Sequence, residues 1–376
     1  MVASIRQDAR LTIGVCVPAV TAIESIRLIP ELRSVHITRY YETTPAHMLY
    51  FTEKYDLVGV DVPKQFRKVN LTLALRLLRG SRATVLEMPE PLWVRFLPTG
   101  VAIALTWKLS GLITGRKRIL VTYAMENNEL GHLIGGNRRV PPIFVRAFGL
   151  GLGLYIRLLL DKIAFATEGS QNLYMSIPFV RSVEHRLFEE LPSDAGDKQT
   201  VPDPDACVFV GVLEERKGVA QLLTAWEEVE RLNPTATLTI IGPGPLADRV
   251  TSWASQNPSR RKYLGQLPRA HVQRRLATAV TLIAPSIPDG RWREQVGLPI
   301  KEGLSHGLTV VTTDQTGLAS WLRQHGHQVV AASNITAELP AAIKLALEHP
   351  LARASVIGSL PHIEGRYQSD AWIHER

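Results

Sequence analysis

Short apolar runs alternate with helix-spaced apolar positions along almost the whole chain, the pattern of a parallel sheet covered by helices on both faces. In the first half, the runs that read as strands are 11–17, 35–41, 55–62, 83–88, 118–125 and 162–168. Between them, segments such as KVNLTLALRLLRG (68–80) carry apolar residues at helical spacing. Residues 190–205 then collect Pro, Asp, Gly and Ser, the composition of a linker. After it the alternation restarts with CVFVGVL, TLTIIG, KYLGQ, VTLIAPS, LTVVTT and HQVVAAS. The pattern predicts two doubly wound, Rossmann-like α/β domains, one over 1–195 and one over 207–350, joined by a linker at 196–206. Ligands of such sheets lie beyond the C-terminal strand ends, so the expected site is a cleft between the two domains.

A length of 376 residues fits two domains, and an apolar fraction of 45% excludes a disordered chain. No run of about 18 uncharged apolar residues is evident, so no spanning helix is expected. The net charge of +8 is unevenly placed: residues 1–200 hold 25 basic and 18 acidic side chains, residues 201–376 hold 18 and 17. A basic first half suits an anionic surface or partner, or simply a soluble basic surface. No nucleic-acid reader motif accompanies it, which argues against a nucleic-acid partner.

The two cysteines, Cys16 and Cys207, lie in separate apolar runs with no CxxC or Cys/His cluster. This points to a reducing compartment and away from structural zinc. Arg6 and Arg10 precede LTIGVCVPAVTA, which is similar to a short signal-peptide core but equally suits a buried first strand with a turn at Pro18. With the cysteine usage, the expectation is a cytoplasmic protein. Two segments, 91–118 and 141–160, are apolar and basic, with Trp or Phe. They read either as core helices alone or as core helices that also touch an anionic membrane.

Three stretches carry candidate chemistry. In TLTIIGPGPLADR (237–249), Gly242 to Ala247 matches G-x-G-x-x-A. No carboxylate stands about 20 residues on, as a dinucleotide site requires, so a tight strand-to-helix turn is the better reading. In 285–313, Glu294 and Glu302 flank the seven residues QVGLPIK. Pro299 suits the first turn of a helix, which puts the N–H groups of Gln295–Leu298 at a helix N-terminus, an anion site. A carboxylate on each side can bind vicinal hydroxyls, so the pattern fits a ligand with phosphate in the middle and a sugar at each end; two solvated surface glutamates are the bland alternative. Finally, LVTYAMENNE (120–129) offers Glu126 and Asn127 at a strand end, and LEMPEP (86–91) offers Glu87 and Glu90. Each is a candidate for acceptor binding or transition-state support, or a carboxylate satisfied by backbone amides.

The Glu294/Glu302 region resembles the E-x7-E signature of retaining GT-B glycosyltransferases, especially glycosyltransferase family 4. FVGVLEERKGVAQLLTAW (209–226) resembles that family's G-R-L-x3-K-G motif, and TLTIIGPGP, YLGQL (263–267), IAPS and HGLTVVTT follow in the family's order. In the first half, DKIAFATEGSQNLYMS (161–176) is similar to the strand and helix before the family's linker.

The resemblance implies a GT-B fold whose second domain holds a UDP- or GDP-sugar. By position it implies that Lys217 neutralises diphosphate, beside Gly211, and that Glu302 holds ribose. Glu294 would contact the transferred sugar, with Gln295, Val296, Gly297 and Leu298 presenting backbone groups, and Gly265 and Gln266 would lie by the base. The family's final segment often returns to the first domain, which 351–376 can do. The departures are Val212 in place of the motif arginine, Thr309 in place of a proline, Thr316–Ser320 without the family's later Glu, and no evident catalytic histidine. Glu126 is the candidate in the histidine's place, and Arg216 or Arg291 in the motif arginine's.

The D-x-D spacings at 60–64 and 202–206 do not precede a plausible donor site, so no metal and no cofactor is expected. The resulting expectation is retaining transfer of a sugar from a nucleotide diphosphate to a glycan or lipid-linked acceptor, a membrane-linked glycolipid or surface polysaccharide intermediate. The enzyme would work in the cytoplasm, peripheral on the inner face of the membrane. A soluble transferase acting on small molecules, or a lapsed sugar-nucleotide binder, are the alternatives.

Overall fold

The computed structural model describes residues 24–54, 57, 60–193 and 200–375. Seven parallel strands form the first sheet: β1 (Ser25–Leu32), β2 (His47–Glu53), β3 (Phe66–Lys68), β4 (Val85–Met88), β5 (Ile119–Ala124), β6 (Lys162–Phe165) and β7 (Glu184–Leu187). Its order is β3-β2-β1-β4-β5-β6-β7. Six more form the second: β8 (Ala206–Val210), β9 (Thr237–Ile241), β10 (Arg261–Tyr263), β11 (Thr281–Ala284), β12 (Thr309–Thr313) and β13 (Gln328–Val330). That sheet runs β10-β9-β8-β11-β12-β13. In each, the order reverses beside the first strand, at β1/β4 and at β8/β11, and that is where such sheets bind ligands.

The helices of the first half are α1 (Ser34–Tyr40), α2 (Leu71–Gly80), α3 (Leu97–Thr114), α4 (Leu130–Gly135), α5 (Pro142–Leu159) and α6 (Glu168–Met175). The second half adds α7 (Val219–Leu232), α8 (Ala247–Ser255), α9 (Arg269–Thr278), α10 (Leu298–Ser305), α11 (Ala319–Gln324) and α12 (Ile335–Glu348). Two short helices, α13 (Arg353–Gly358) and α14 (Gly365–His374), complete the described chain. Side chains of α2, α3 and α5 bury one face of the first sheet around Trp107, Ile103 and Ile156. α14 covers part of the other face, where Trp372 and Ile373 pack on Val85, Val121 and Ala164. Each such fully buried aliphatic side chain contributes about 1.5–3 kcal/mol.

Ions reinforce that return of the chain. Buried Arg27 on β1 pairs with Glu87 on β4 and Asp370 on α14, and Arg366 reaches Glu87 at 2.7 Å. Burial alone would raise the Glu87 carboxyl, but the charges of Arg27 and Arg366 hold it well below the usual range. A second network joins the domains: Lys301 on α10 lies 2.8 Å from both Glu190 and Glu364, and Arg39 on α1 faces Glu190 at 3.3 Å. Glu190 opens the Pro- and Asp-rich linker stretch, so that stretch begins with a buried charge.

Several sequence expectations need correction. Residues 35–41 are not a strand but lie almost wholly in α1; their β-branched side chains face mostly outward, with only Ile37 buried. The strand expected over 55–62 lies earlier, as β2, and the described part of 55–62 has no strand. The 11–17 run falls outside the described residues. β1 was hidden because its polar Arg27 is buried and Pro30 interrupts a run that is buried along nearly its whole length. Residues 166–168 end a strand and open a helix: the Thr167 hydroxyl accepts the Ser170 N–H at 3.1 Å, capping α6.

No uncharged apolar run of about 18 residues occurs in the two longest helices, since Lys108 interrupts α3 and Arg146 and Arg157 interrupt α5. α3 and α5 are each 18 residues and apolar enough to cross a membrane by length and composition. Both lie against the first sheet with one face buried. The opposite faces expose Leu105, Leu109, Leu112 and Ile113 on α3, and Ile143, Leu150, Leu154 and Leu158 on α5.

Candidate active site

The loop after β8 carries Lys217, and its position depends on the next residue. Gly218 has φ +70°, and a Cβ there would lie 1.9 Å from the carbonyl oxygen of Pro285. Only glycine lets the two loops touch so closely. This contact delivers Lys217 to Glu294, and the two form an ion pair with side chains 17% and 15% exposed. The Ser286 hydroxyl donates to the same carboxylate at 3.0 Å. The gap bounded by Lys217, Ser286, Glu294 and Gly297 holds only about 10 Å3, too little for a phosphate.

Gly297 caps α10, whose first turn contains Pro299. Among the described residues, the N–H groups of Gln295, Val296, Gly297 and Leu298 reach no protein acceptor. The carbonyl of Glu294 is engaged instead, by Gly317 N–H and by Asn127 Nδ2, each at 3.0 Å. A row of unused amides at a positive helix end is an anion cradle. Glu302 lies on the second turn of α10, 3.6 Å from Arg269, and burial raises its carboxyl above the ordinary value. Gly265, with φ +62°, gives its carbonyl to Gly242 N–H at 2.8 Å, and Gln266 beside it is exposed. The glycines of the G-x-G-x-x-A stretch serve packing: a Cβ on Gly242 would lie 1.9 Å from the Gly211 carbonyl oxygen.

Two candidates for the missing arginine separate clearly. Arg291 points to the first domain, where it donates to the carbonyls of Leu133 at 2.9 Å and Ile134 at 2.7 Å. Arg216 lies 4.3 Å over the ring centroid of Trp292, and the Lys217 ammonium is 4.9 Å from the same centroid. One indole therefore holds two cations beside the anion cradle. Trp292 and Ser286 escaped the sequence reading; an aromatic two residues before Glu294 was the only available signal.

The first domain reaches the same loop. Glu126 accepts the N–H groups of Asn127 and Asn128 at 3.0 and 2.9 Å, and Gln295 Nε2 from across the cleft at 3.3 Å. Burial raises its carboxyl above the ordinary value. Arg293 donates to Asn127 O at 2.9 Å and Asn128 Nδ2 to Gly290 O at 3.2 Å, so the 290–295 loop is tied to the β5–α4 loop at several points. Behind Glu126, Glu90 is half-buried and accepts from Met125 N–H at 3.1 Å, Glu126 N–H at 3.0 Å and Tyr174 Oη at 3.0 Å. Burial, then the charge of Glu126, pushes its carboxyl up to about 8. Glu87 does not join them, being held by Arg27 and Arg366. The grouping of Glu87, Asp370 and His374 is the one described cluster with metal-ligand spacing. Because Arg27 and Arg366 already neutralise its carboxylates, it does not fit a cation.

Comparison with known proteins divides the chain. Residues 204–349 match the family profile described as Glycosyl transferases group 1. A glycogen synthase of Mycobacterium tuberculosis is 29% identical over 151 residues, 40% of this chain and 35% of its own length. The chain thus spans about a third of the curated relatives it matches. Among solved structures, Anabaena HepE in complex with UDP superposes with a TM-score of 0.61 at 11% identity, covering 93% of this chain and 96% of its own. The lipopolysaccharide outer core galactosyltransferase WaaB gives 0.60 at 12% identity, covering 93% and 99%.

The fold is GT-B. Within it, Lys217, Glu294, Glu302 and the amides of 295–298 lie in the matched second domain. Glu126 and Glu90 come from the first, for which the family profile offers no counterpart.

Proposed function

We propose that the chain is a retaining glycosyltransferase that moves a sugar from a UDP- or GDP-sugar to an acceptor hydroxyl. The observation that carries this reading is the Lys217–Glu294 pair at the head of α10, beside four unused backbone N–H groups. The donor diphosphate takes those amides and Lys217 and frees Glu294 for the sugar hydroxyls. Glu302 holds the ribose, and Gly265 and Gln266 lie by the base. Arg216, seated on Trp292, replaces the cation lost at Val212.

In the reaction, the acceptor oxygen bonds to the anomeric carbon on the same face from which the diphosphate leaves, as the bond from that carbon to the diphosphate oxygen breaks, so the anomeric configuration is kept. Glu126 takes the acceptor proton, and the burial that raises its carboxyl makes it a stronger base than an exposed glutamate. Negative charge grows on the departing diphosphate, where Lys217, Arg216 and the α10 dipole would stabilise it. These groups supply the neutralisation without a metal, and EDTA is expected to leave turnover intact. HepE, solved with UDP-glucose, supports a uridine donor.

The acceptor side is read as a membrane-linked glycolipid or surface polysaccharide intermediate. The exposed leucines of α3 and α5, with Arg116 and Lys117 at the end of α3, favour peripheral contact with an anionic membrane on its cytoplasmic face.

The test is release of UDP or GDP from nucleotide sugars with candidate acceptors, wild type against Glu294→Ala and Glu126→Gln. Turnover in wild type, lost with Glu294→Ala and cut about 100-fold in kcat with Glu126→Gln, supports the reading. Nucleotide binding without any turnover in wild type would leave a lapsed sugar-nucleotide binder instead.

A further inference from the structure

The loop that begins at Glu294 owes its shape to what lies behind it. A trans peptide group is planar, so its C=O and the following N–H point to opposite sides. Whatever holds a carbonyl therefore turns the next residue's N–H the other way. Four consecutive carbonyls of this loop are held. The Glu294 oxygen accepts Asn127 Nδ2 and Gly317 N–H, each at 3.0 Å. The Gln295 oxygen accepts Gly317 N–H at 3.1 Å, and the Val296 oxygen accepts the Thr316 hydroxyl at 3.0 Å. The Gly297 oxygen accepts Ile300 N–H at 2.9 Å in the first turn of α10. On the far sides of those four planes stand the N–H groups of Gln295, Val296, Gly297 and Leu298, the unused amides of the anion cradle.

Most of these holds are local to the second domain, but one crosses the cleft. Asn127 follows Glu126 in the loop after β5 and is 7% exposed. Its Nδ2 also lies 3.4 Å from the Gln315 carbonyl, and its own carbonyl accepts Arg293 Nη1 at 2.9 Å. Both acceptors facing Nδ2 are carbonyl oxygens, so only a donor serves there. Among the described residues its Oδ1 meets no donor, so the side chain is held through Nδ2 alone. On the second-domain side, Thr316 is 3% exposed. A Cβ on Gly317 would lie 2.3 Å from the Gln295 oxygen and 2.6 Å from the Thr167 hydroxyl of the first domain. Thr316 and Gly317 open the stretch that lacks the family's later Glu, and they serve the cradle from behind.

We propose that Asn127 and Thr316 are positioning residues for a diphosphate: by holding the carbonyls of Glu294 and Val296, they aim the N–H groups of Gln295 and Gly297 into the anion cradle. The proposal rests on the glycosyltransferase reading for the identity of the ligand, a nucleoside diphosphate, and adds a first-domain residue to the donor site. Neither side chain touches the anion. Each acts through one peptide plane, and amides fixed in advance bind an anion without having to be ordered by it. Because Asn127 belongs to the first domain, the affinity of the second domain's cradle depends on how the β5–α4 loop seats against it.

The experiment measures binding of UDP, GDP, inorganic pyrophosphate, uridine and guanosine to the full chain by calorimetry. Asn127→Ala and Thr316→Val should each bind the diphosphate ligands about 5- to 10-fold more weakly, with nucleoside affinity kept. Asn127→Asp should lose more than Asn127→Ala, because it sets a charged oxygen against two carbonyls. Thr316→Ser keeps the hydroxyl and should bind nearly as wild type does. Unchanged diphosphate affinity in either Asn127→Ala or Thr316→Val, or an equal loss for the nucleosides, overturns the proposal. If wild type binds pyrophosphate but neither nucleotide, the glycosyltransferase reading fails by itself, and the pyrophosphate series still decides the positioning role. Wild type that binds neither pyrophosphate nor nucleotide overturns both.

Discussion

Lys217 and Glu294, 77 residues apart in sequence, close an ion pair over the N-terminus of α10. The pair stores each group in a defined place until a more strongly charged ligand competes for the lysine. Lys217→Ala is therefore expected to lower kcat about 100-fold or more, the usual loss when a preorganised transition-state charge is removed. Initial rates at saturating nucleotide sugar check this; a variant with unchanged kcat would move the catalytic charge elsewhere.

Arg216 and Trp292 make a separate, binding-level expectation. If Arg216, held over Trp292, meets the diphosphate as proposed, Arg216→Ala and Trp292→Ala should each weaken nucleoside diphosphate binding by about 5- to 10-fold. Binding of the bare nucleoside should not change, and Trp292→Phe should keep most of the affinity. Equal losses for nucleoside and nucleotide would show damage to the fold instead.

Glu90 gives the pH expectation. In the native protein its carboxyl stays protonated up to about 8, whereas in the unfolded chain it ionises near the ordinary glutamate value of about 4.3. Between those values the native state holds the extra proton, so stability falls as pH rises. Its contribution is complete below the unfolded value and lost as pH passes through about 8. Glu189, raised by burial and then Glu168 to about 7, adds the same sign. Urea midpoints at pH 5 and 8.5 should therefore drop in wild type and drop less in Glu90→Gln. Identical drops in the two proteins would remove Glu90 from the account.

On the outer face of α3, Leu112 and Ile113 are 80% and 77% exposed. Replacing both with Glu costs no packing, so melting temperature should hold. Sedimentation with vesicles rich in anionic phospholipid should fall about tenfold or more, because two apolar side chains leave the interface and two like charges enter it. Wild-type chain that ignores lipid charge altogether would count against the membrane reading.

The second domain was legible in the sequence because each of its strands is a short apolar run and its loops carry a recognisable spacing. The first domain was less so, for a physical reason. β1 buries Arg27 and tolerates Pro30 because α14, more than 330 residues away, supplies Asp370 and the helix that covers that face; no local pattern encodes such a partner. The site divides in the same way. Glu294 and Glu302 were singled out by their spacing and Lys217 by the family resemblance, whereas the sharing of one indole by Arg216 and Lys217 arises only when two loops meet at Gly218. Glu90 was visible as a carboxylate, but its protonation depends on desolvation and on the charge of Glu126, both of which only folding supplies.

The return of α14 also sets an order of events during synthesis. Arg27 and Glu87 are made early, yet the helix carrying Asp370 and Arg366 leaves the ribosome only after the whole second domain. At about 5–20 residues per second, the first sheet waits many seconds with one face and two buried charges uncovered. The second domain, continuous in sequence from β8 to α12, can fold in that interval. The first sheet is thus begun before the second and completed after it, and a stall or truncation near residue 365 would spare the second domain while leaving its partner open.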